Sequence, residues 1–144
     1  MGLMTNIALL KPDFREKVKL MLKEFDDLGF KYIINETLRS VDVQRAYYAQ
    51  GREPLVRVNR LRNVAGLWEI TEEENKKQVT WTMASKHILG LAIDIVPVNP
   101  KTGKAWWTAP QTIWDVIGTV AKKYGLKWGG DWKNPDSPHI EATI

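Results

Sequence analysis

The chain has 144 residues, a formal net charge of +4, 44% hydrophobic and 26% charged residues, and no cysteine. That size and balance fit a single globular domain, residues 1–144, with its own core. The absence of cysteine excludes disulfides and thiolate metal sites, so any metal must be held by nitrogen and oxygen. No apolar run approaches the about 20 residues that cross a bilayer, and Met1 to Lys11 lacks a basic start, a long apolar stretch and a small-residue cleavage site, so neither membrane insertion nor a secretory signal is expected.

The spacing of Phe14, Val18, Met21, Leu22, Phe25 and Leu28 predicts an amphipathic helix from Pro12 to Leu28. Pro12 suits its first turn and Gly29 the position just past its end. Tyr32, Ile33 and Ile34 predict a strand from Lys31 to Thr37. A helix from Val41 to Gln50 follows, so Arg39 falls at a strand-to-helix turn, where a side chain can project into a cleft. A surface salt bridge is the plainer reading of Arg39 alone. Leu55, Val58, Leu61 and Val64 predict a helix within Glu53 to Ala65, and Thr71 to Glu74 has the pattern of a capping box. Residues Glu53 to Gln78 read as an excursion over the scaffold, able to form a cleft wall.

Val79 to Thr82 reads as a strand, and Leu91 to Val98 as a stronger one. In the latter, alternation puts Ala92, Asp94 and Val96 on one face. A lone carboxylate in an apolar strand needs a partner, which a metal or an arginine would supply. Pro110 to Tyr124 reads as a helix ended by Gly125, with Lys122 and Lys123 at its negative end. Lys127-Trp128 and His139 to Thr143 read as short strands around a loop rich in Gly, Asp, Asn and Pro. Of seven tryptophans, several flank this loop; most are expected to pack in the core or at its rim.

The chain has two histidines, His87 and His139, each near an aspartate, Asp94 and Asp136. Two imidazoles and one carboxylate make a three-ligand set with a position open for water, the pattern of catalytic rather than structural zinc. The second carboxylate is then free to act on that water. If the loop folds back, Asp136 reaches the water and passes its proton to a leaving amine. Arg39 is the candidate to stabilise an oxyanion, and Asp131 and Glu141 are candidates to orient ligand histidines. Two rivals are weaker. No serine sits in a nucleophile elbow for Ser-His-Asp catalysis, and the helices argue against an Fe(II) oxygenase, which usually rides on an all-β scaffold. The positive charge suits a polyanion, wall or nucleic acid, but no nucleic-acid reading motif accompanies it.

Ser85, His87, Gly90, Ala92 and Asp94, followed by Trp128-Gly129-Gly130-Asp131-Trp132 and by Asp136, Pro138 and His139, resemble the LAS-type, VanY-like metallopeptidases that include D-Ala-D-Ala carboxypeptidases. Leu38-Arg39-Ser40, Gln44 and Tyr48 to Arg52 are similar to the branch of phage L-alanyl-D-glutamate endopeptidases. The likeness spans about Glu36 to Glu141. It implies a small α+β domain with a central antiparallel sheet, flanking helices and a zinc site in a cleft. It further implies one Zn2+ held by His87, Asp94 and His139, with Asp136 as catalytic acid/base and Arg39 as the carbonyl-polarising group. Ser85 and Gln44 match positions near substrate. Ile88 departs from the pattern, because many relatives carry asparagine or a small residue there.

The implied function is hydrolysis of the L-alanyl-D-glutamate bond of peptidoglycan by a monomeric endolysin. No wall-binding domain is visible, and the protein would reach the wall through a membrane lesion made by another phage protein. The alternatives are a D-alanyl-D-alanine carboxypeptidase and a wall-binding module without turnover.

Overall fold

In the computed structural model, which describes residues 3–80 and 82–143, four helices surround a four-stranded antiparallel sheet. Helix α1 spans Pro12–Asp27, α2 Val41–Ala49, α3 Leu55–Val64 and α4 Gln111–Lys123. The strands are β1 (Tyr32–Glu36), β2 (Ala92–Pro97), β3 (Lys127–Trp128) and β4 (His139–Glu141), in the order β1-β2-β4-β3. The expected α+β architecture is thus the observed one.

The heptad-like spacing of α1 buries Phe14, Val18, Met21, Leu22 and Phe25. They share one core with Trp114, Ile117 and Val120 of α4 and with Ile93, Ile95 and Ile140 of the sheet. A smaller cluster joins α2 and α3 through Ala46, Ala49, Val58 and Leu61. The excursion after α3 is tied to this pair by side-chain amides. Asn59 bonds Ile70 through both its groups, Gln50 donates to the carbonyl of Glu74, and Asn75 accepts from Gly51 N–H. The capping box forms as expected, with Thr71 and Glu74 bonding each other's backbone and side chains.

One expected strand is absent. Val79, Thr80 and Thr82 lie in irregular chain, and Trp81 lies outside the described residues. This segment pairs with no strand among the described residues; it is held instead by side chains of α2 and the turn after it, with Gln44 and Arg52 donating to the carbonyls of Thr82 and Thr80. β-propensity without a neighbouring strand does not make a strand.

Register places the site. Asp94 on β2 faces His139 on β4 and Glu36 on β1. A bulge between Ile34 and Glu36 re-aims the end of β1. One cross-strand row therefore carries Glu36, Asp94 and His139, and Glu141, two residues beyond His139, shares its face.

Candidate metal centre

His87 reaches the row from a turn rather than from the sheet. The turn runs from Ser85 to Gly90, with Ser85 Oγ accepting from His87 N–H at 3.2 Å. Gly90 closes it with φ of 71°, a left-handed conformation that other residues adopt at a cost. A side chain there would also meet the Leu9 carbonyl at 3.2 Å. The N-terminal segment braces the same turn, since Lys11 N–H donates to the Gly90 carbonyl at 3.0 Å.

One nitrogen of each imidazole and a carboxylate oxygen of Asp94 all lie within 4.8 Å of one another. The Asp94 Oδ1 atom is 3.2 Å from His87 Nε2 and 3.4 Å from His139 Nδ1. The opposite nitrogens are both committed. His87 Nδ1 lies 2.9 Å from the Thr37 carbonyl, which can only accept, so that nitrogen carries the proton. His139 Nε2 lies 2.8 Å from the Glu141 carboxylate, which fixes its proton in the same way. Neutral rings in these tautomers turn their lone pairs toward Asp94. Two lone pairs converging on a carboxylate oxygen repel one another unless protons or a cation lie between them. This donor set and its outer partners match what a divalent metal requires. Glu141 is held in turn by Lys86 at 2.9 Å.

The electrostatics are those of a cation-shaped hole. In the metal-free site, burial raises the cost of charge on Asp94, yet protons shared with the facing nitrogens of His139 and His87 hold its carboxyl far below the usual range. Burial works against the imidazolium of His139, but Asp94 and Glu141 overcome it and push the ring to about 9. His139 in turn draws the Glu141 carboxyl down to about 2, with Lys86 adding to the effect. Asp136 behaves in the opposite sense, because burial and the nearby Asp94 charge raise its carboxyl.

Asp136 Oδ2 lies 4.0 Å from His139 Nδ1, with its side chain half exposed. The fold-back on which its role depends is present. Asp136 N–H donates to the Gly129 carbonyl at 2.8 Å, and His139 N–H to the Asp136 carbonyl at 3.1 Å. Gly129 is required by this close approach, since a Cβ there would sit 2.4 Å from the Asp136 carbonyl oxygen. The Trp132 ring packs on His139 with centroids 4.9 Å apart.

Arg39 forms no surface bridge. Its side chain is 11% exposed and grips the buried Glu36 with two bonds, from Nε at 3.0 Å and from the adjoining Nη2. A third bond reaches Gln44 Oε1 at 2.7 Å. Burial disfavours its charge, and the Glu36 carboxylate more than restores it. No motif marks Glu36 as a site residue; its place three residues before Arg39 is the one signal the sequence carries. Glu36→Ala leaves a buried, unpaired arginine, and a loss of about 3–5 kcal/mol is expected in denaturant unfolding. A much smaller loss would mean that Arg39 swings out to water.

Arg39, Ser85, His87, Asp94, Asp136 and His139 line one open cleft of about 1100 Å3. Two expectations need correction. Gln44 does not line the cleft: it is fully buried, and its amide spends itself on Arg39, Thr80 and the Thr82 carbonyl. It is a bracket for Arg39 rather than a substrate contact. Asp131 does not orient a histidine; it points to Lys122 at the end of α4, 3.0 Å away and half exposed. The outer ring nitrogens are bonded instead by Glu141 and by the Thr37 carbonyl, a backbone group that no sequence pattern announces. Ile88 is absent from the residues lining the cleft. The excursion does supply a wall, through Arg62, Ile70 and Glu74.

The family model for D-alanyl-D-alanine carboxypeptidases matches residues 78–142, which include both histidines, Asp94 and Asp136. The chain resembles the LAS, VanY-like peptidases. The curated relatives it matches are named as peptidases. Among curated proteins it is similar to the peptidoglycan L-alanyl-D-glutamate endopeptidase CwlK of Bacillus subtilis. The two are 27% identical over 140 residues, covering 92% of this chain and 72% of that one. It is also similar to the L-alanyl-D-glutamate peptidase of Listeria phage A118, at 24% identity over 96% of this chain but only 40% of the phage protein. Among solved structures, the Serratia marcescens L-Ala D-Glu endopeptidase ChiX shares the fold, with a TM-score of 0.59 and 21% identity over 96% of this chain and 84% of that one. A vancomycin-resistance D,D-pentapeptidase in complex with Zn(II) does so with a TM-score of 0.54 and 12% identity, over 92% of this chain and 72% of that one.

Proposed function

We propose that this protein is a zinc-dependent peptidoglycan hydrolase that cleaves the L-alanyl-D-glutamate bond of stem peptides. The observation that carries the proposal is the convergence of His87, Asp94 and His139 within 4.8 Å in a cleft that also holds Asp136 and Arg39. The curated relatives named for L-alanyl-D-glutamate cleavage supply the bond. His87 Nε2, Asp94 Oδ1 and His139 Nδ1 would hold one zinc ion. Bound there, zinc supplies Lewis-acid polarisation and makes water acidic enough to react at neutral pH.

The chain's own groups do the rest. Asp136, with its raised affinity for protons, takes one from the attacking water and delivers it to the departing amine of D-glutamate. Arg39 has five N–H donors and spends three on Glu36 and Gln44. The other two remain for the oxygen of the scissile carbonyl as it gains charge. Glu36 and Gln44 hold that guanidinium in place, so it pays little reorganisation when the oxyanion forms. Trp132 keeps bulk water off one face of His139. We further propose that the protein acts as a monomeric phage lysin that reaches the wall through a lesion made by another protein.

Glu141→Ala removes the partner of His139 Nε2. Zinc affinity is expected to fall about 10–100-fold, measured by competition with a chromophoric chelator; unchanged affinity would mean that Glu141 has no part in holding the ring. The family description favours a second reading, removal of terminal D-alanine. Digestion of defined muropeptides separates the two: new amino-terminal D-glutamate supports the endopeptidase, and free D-alanine the carboxypeptidase.

A further inference from the structure

The cleft contains three cations beyond its histidines, and two are already committed. Arg39 is bound to Glu36 and Lys86 to Glu141. The third is Arg62, on α3 in the wall formed by the excursion. Its Nε donates to the Trp68 carbonyl, which fixes the side chain while leaving the far nitrogens without a carboxylate partner among the described residues. Glu74 lines the same wall and its charge is felt by Arg62, but its Oε1 accepts from the Thr71 N–H at 3.0 Å and hydroxyl at 3.1 Å, and it forms no ion pair with Arg62. A guanidinium on a partly buried residue that is anchored at Nε and open at its far nitrogens is suited to bidentate capture of a carboxylate.

We propose that Arg62 is a carboxylate subsite of the cleft, taking a free carboxylate from the half of the stem peptide that begins with D-glutamate. The inference rests on the peptidoglycan reading above and adds a specificity determinant to it. Two sources offer the same chemistry. In the stem, D-glutamate is linked through its side chain, so its α-carboxylate is free unless amidated. The third residue carries a further carboxylate when it is diaminopimelate and lacks it when it is lysine.

The test uses three peptides: the glutamate–diaminopimelate form, its isoglutamine counterpart and its lysine counterpart. Binding to the chelated, metal-free protein is measured beside cleavage by the zinc-loaded protein, for wild type, Arg62→Gln and Arg62→Lys. Loss of one charge-assisted pair corresponds to about 10–100-fold in affinity. Wild type is expected to disfavour one of the two altered peptides by that factor, in binding and in KM but not in kcat. The peptide disfavoured identifies the carboxylate. Arg62→Gln should bind all three alike, and Arg62→Lys should restore part of the preference.

Equal binding of all three peptides by wild type overturns the subsite, whether or not Arg62→Gln folds. A preference that survives intact in a folded Arg62→Gln also overturns it, while leaving the hydrolase reading standing. Failure of wild type to bind or cut any of the three overturns both.

Discussion

Asp94→Ala is expected to abolish zinc binding and, with it, all hydrolysis. Asp94 Oδ1 lies within 3.4 Å of both imidazole nitrogens, and Asp94 is the only anion of the proposed ligand set. The affinity loss should exceed the about 100-fold that removal of an outer partner costs, since a ligand bond itself disappears. A companion effect is expected in the metal-free protein. Asp94 contributes the first of the hydrogen bonds that hold His139 at about 9 against burial. Without that anion the imidazolium is less favoured, so the His139 ring should titrate below that value. Metal content after exhaustive dialysis and an NMR titration of the ring protons check both effects. An Asp94→Ala protein that retains one zinc per chain would remove Asp94 from the site.

Asp136→Asn is expected to lose about 10²–10⁴-fold in kcat with zinc content unchanged. Asparagine keeps the size of the side chain and leaves intact the backbone bonds that fold the loop over Gly129. What it loses is the capacity to accept a proton. The separation of activity from metal content is the informative part. Loss of zinc would make Asp136 a ligand, and retained turnover would move the acid/base role elsewhere in the cleft.

Periodicity made the helices readable, because α1 and α4 each bury one apolar stripe against the sheet. The spacing of His87, Asp94, Asp136 and His139 made the centre of the site readable through its resemblance. The outer parts were less so, for identifiable reasons. Val79 to Thr82 has strand composition but no partner strand among the described residues, and pairing depends on neighbours that a local pattern does not contain. Gln44 matched a position near substrate, yet helix α2 turns it inward to Arg39 and the 80–82 segment. Asp131 lies near His139 in sequence, but its 3-10 turn sends it to Lys122. The Thr37 carbonyl that fixes the His87 tautomer is 50 residues away and belongs to the backbone, so only the folded chain reveals it. Glu36 carries a comparable lesson: the bulge before it decides that its carboxylate meets Arg39, and nothing in its neighbours marks a bulge.

The most direct test of the account is mass spectrometry of the products from purified peptidoglycan, digested by the protein as prepared, after chelation, and after Zn2+ is restored. The account predicts fragments with new amino-terminal D-glutamate that vanish on chelation and return with zinc. Undiminished cleavage by the chelated protein, or no cleavage by protein carrying one zinc per chain, would contradict it.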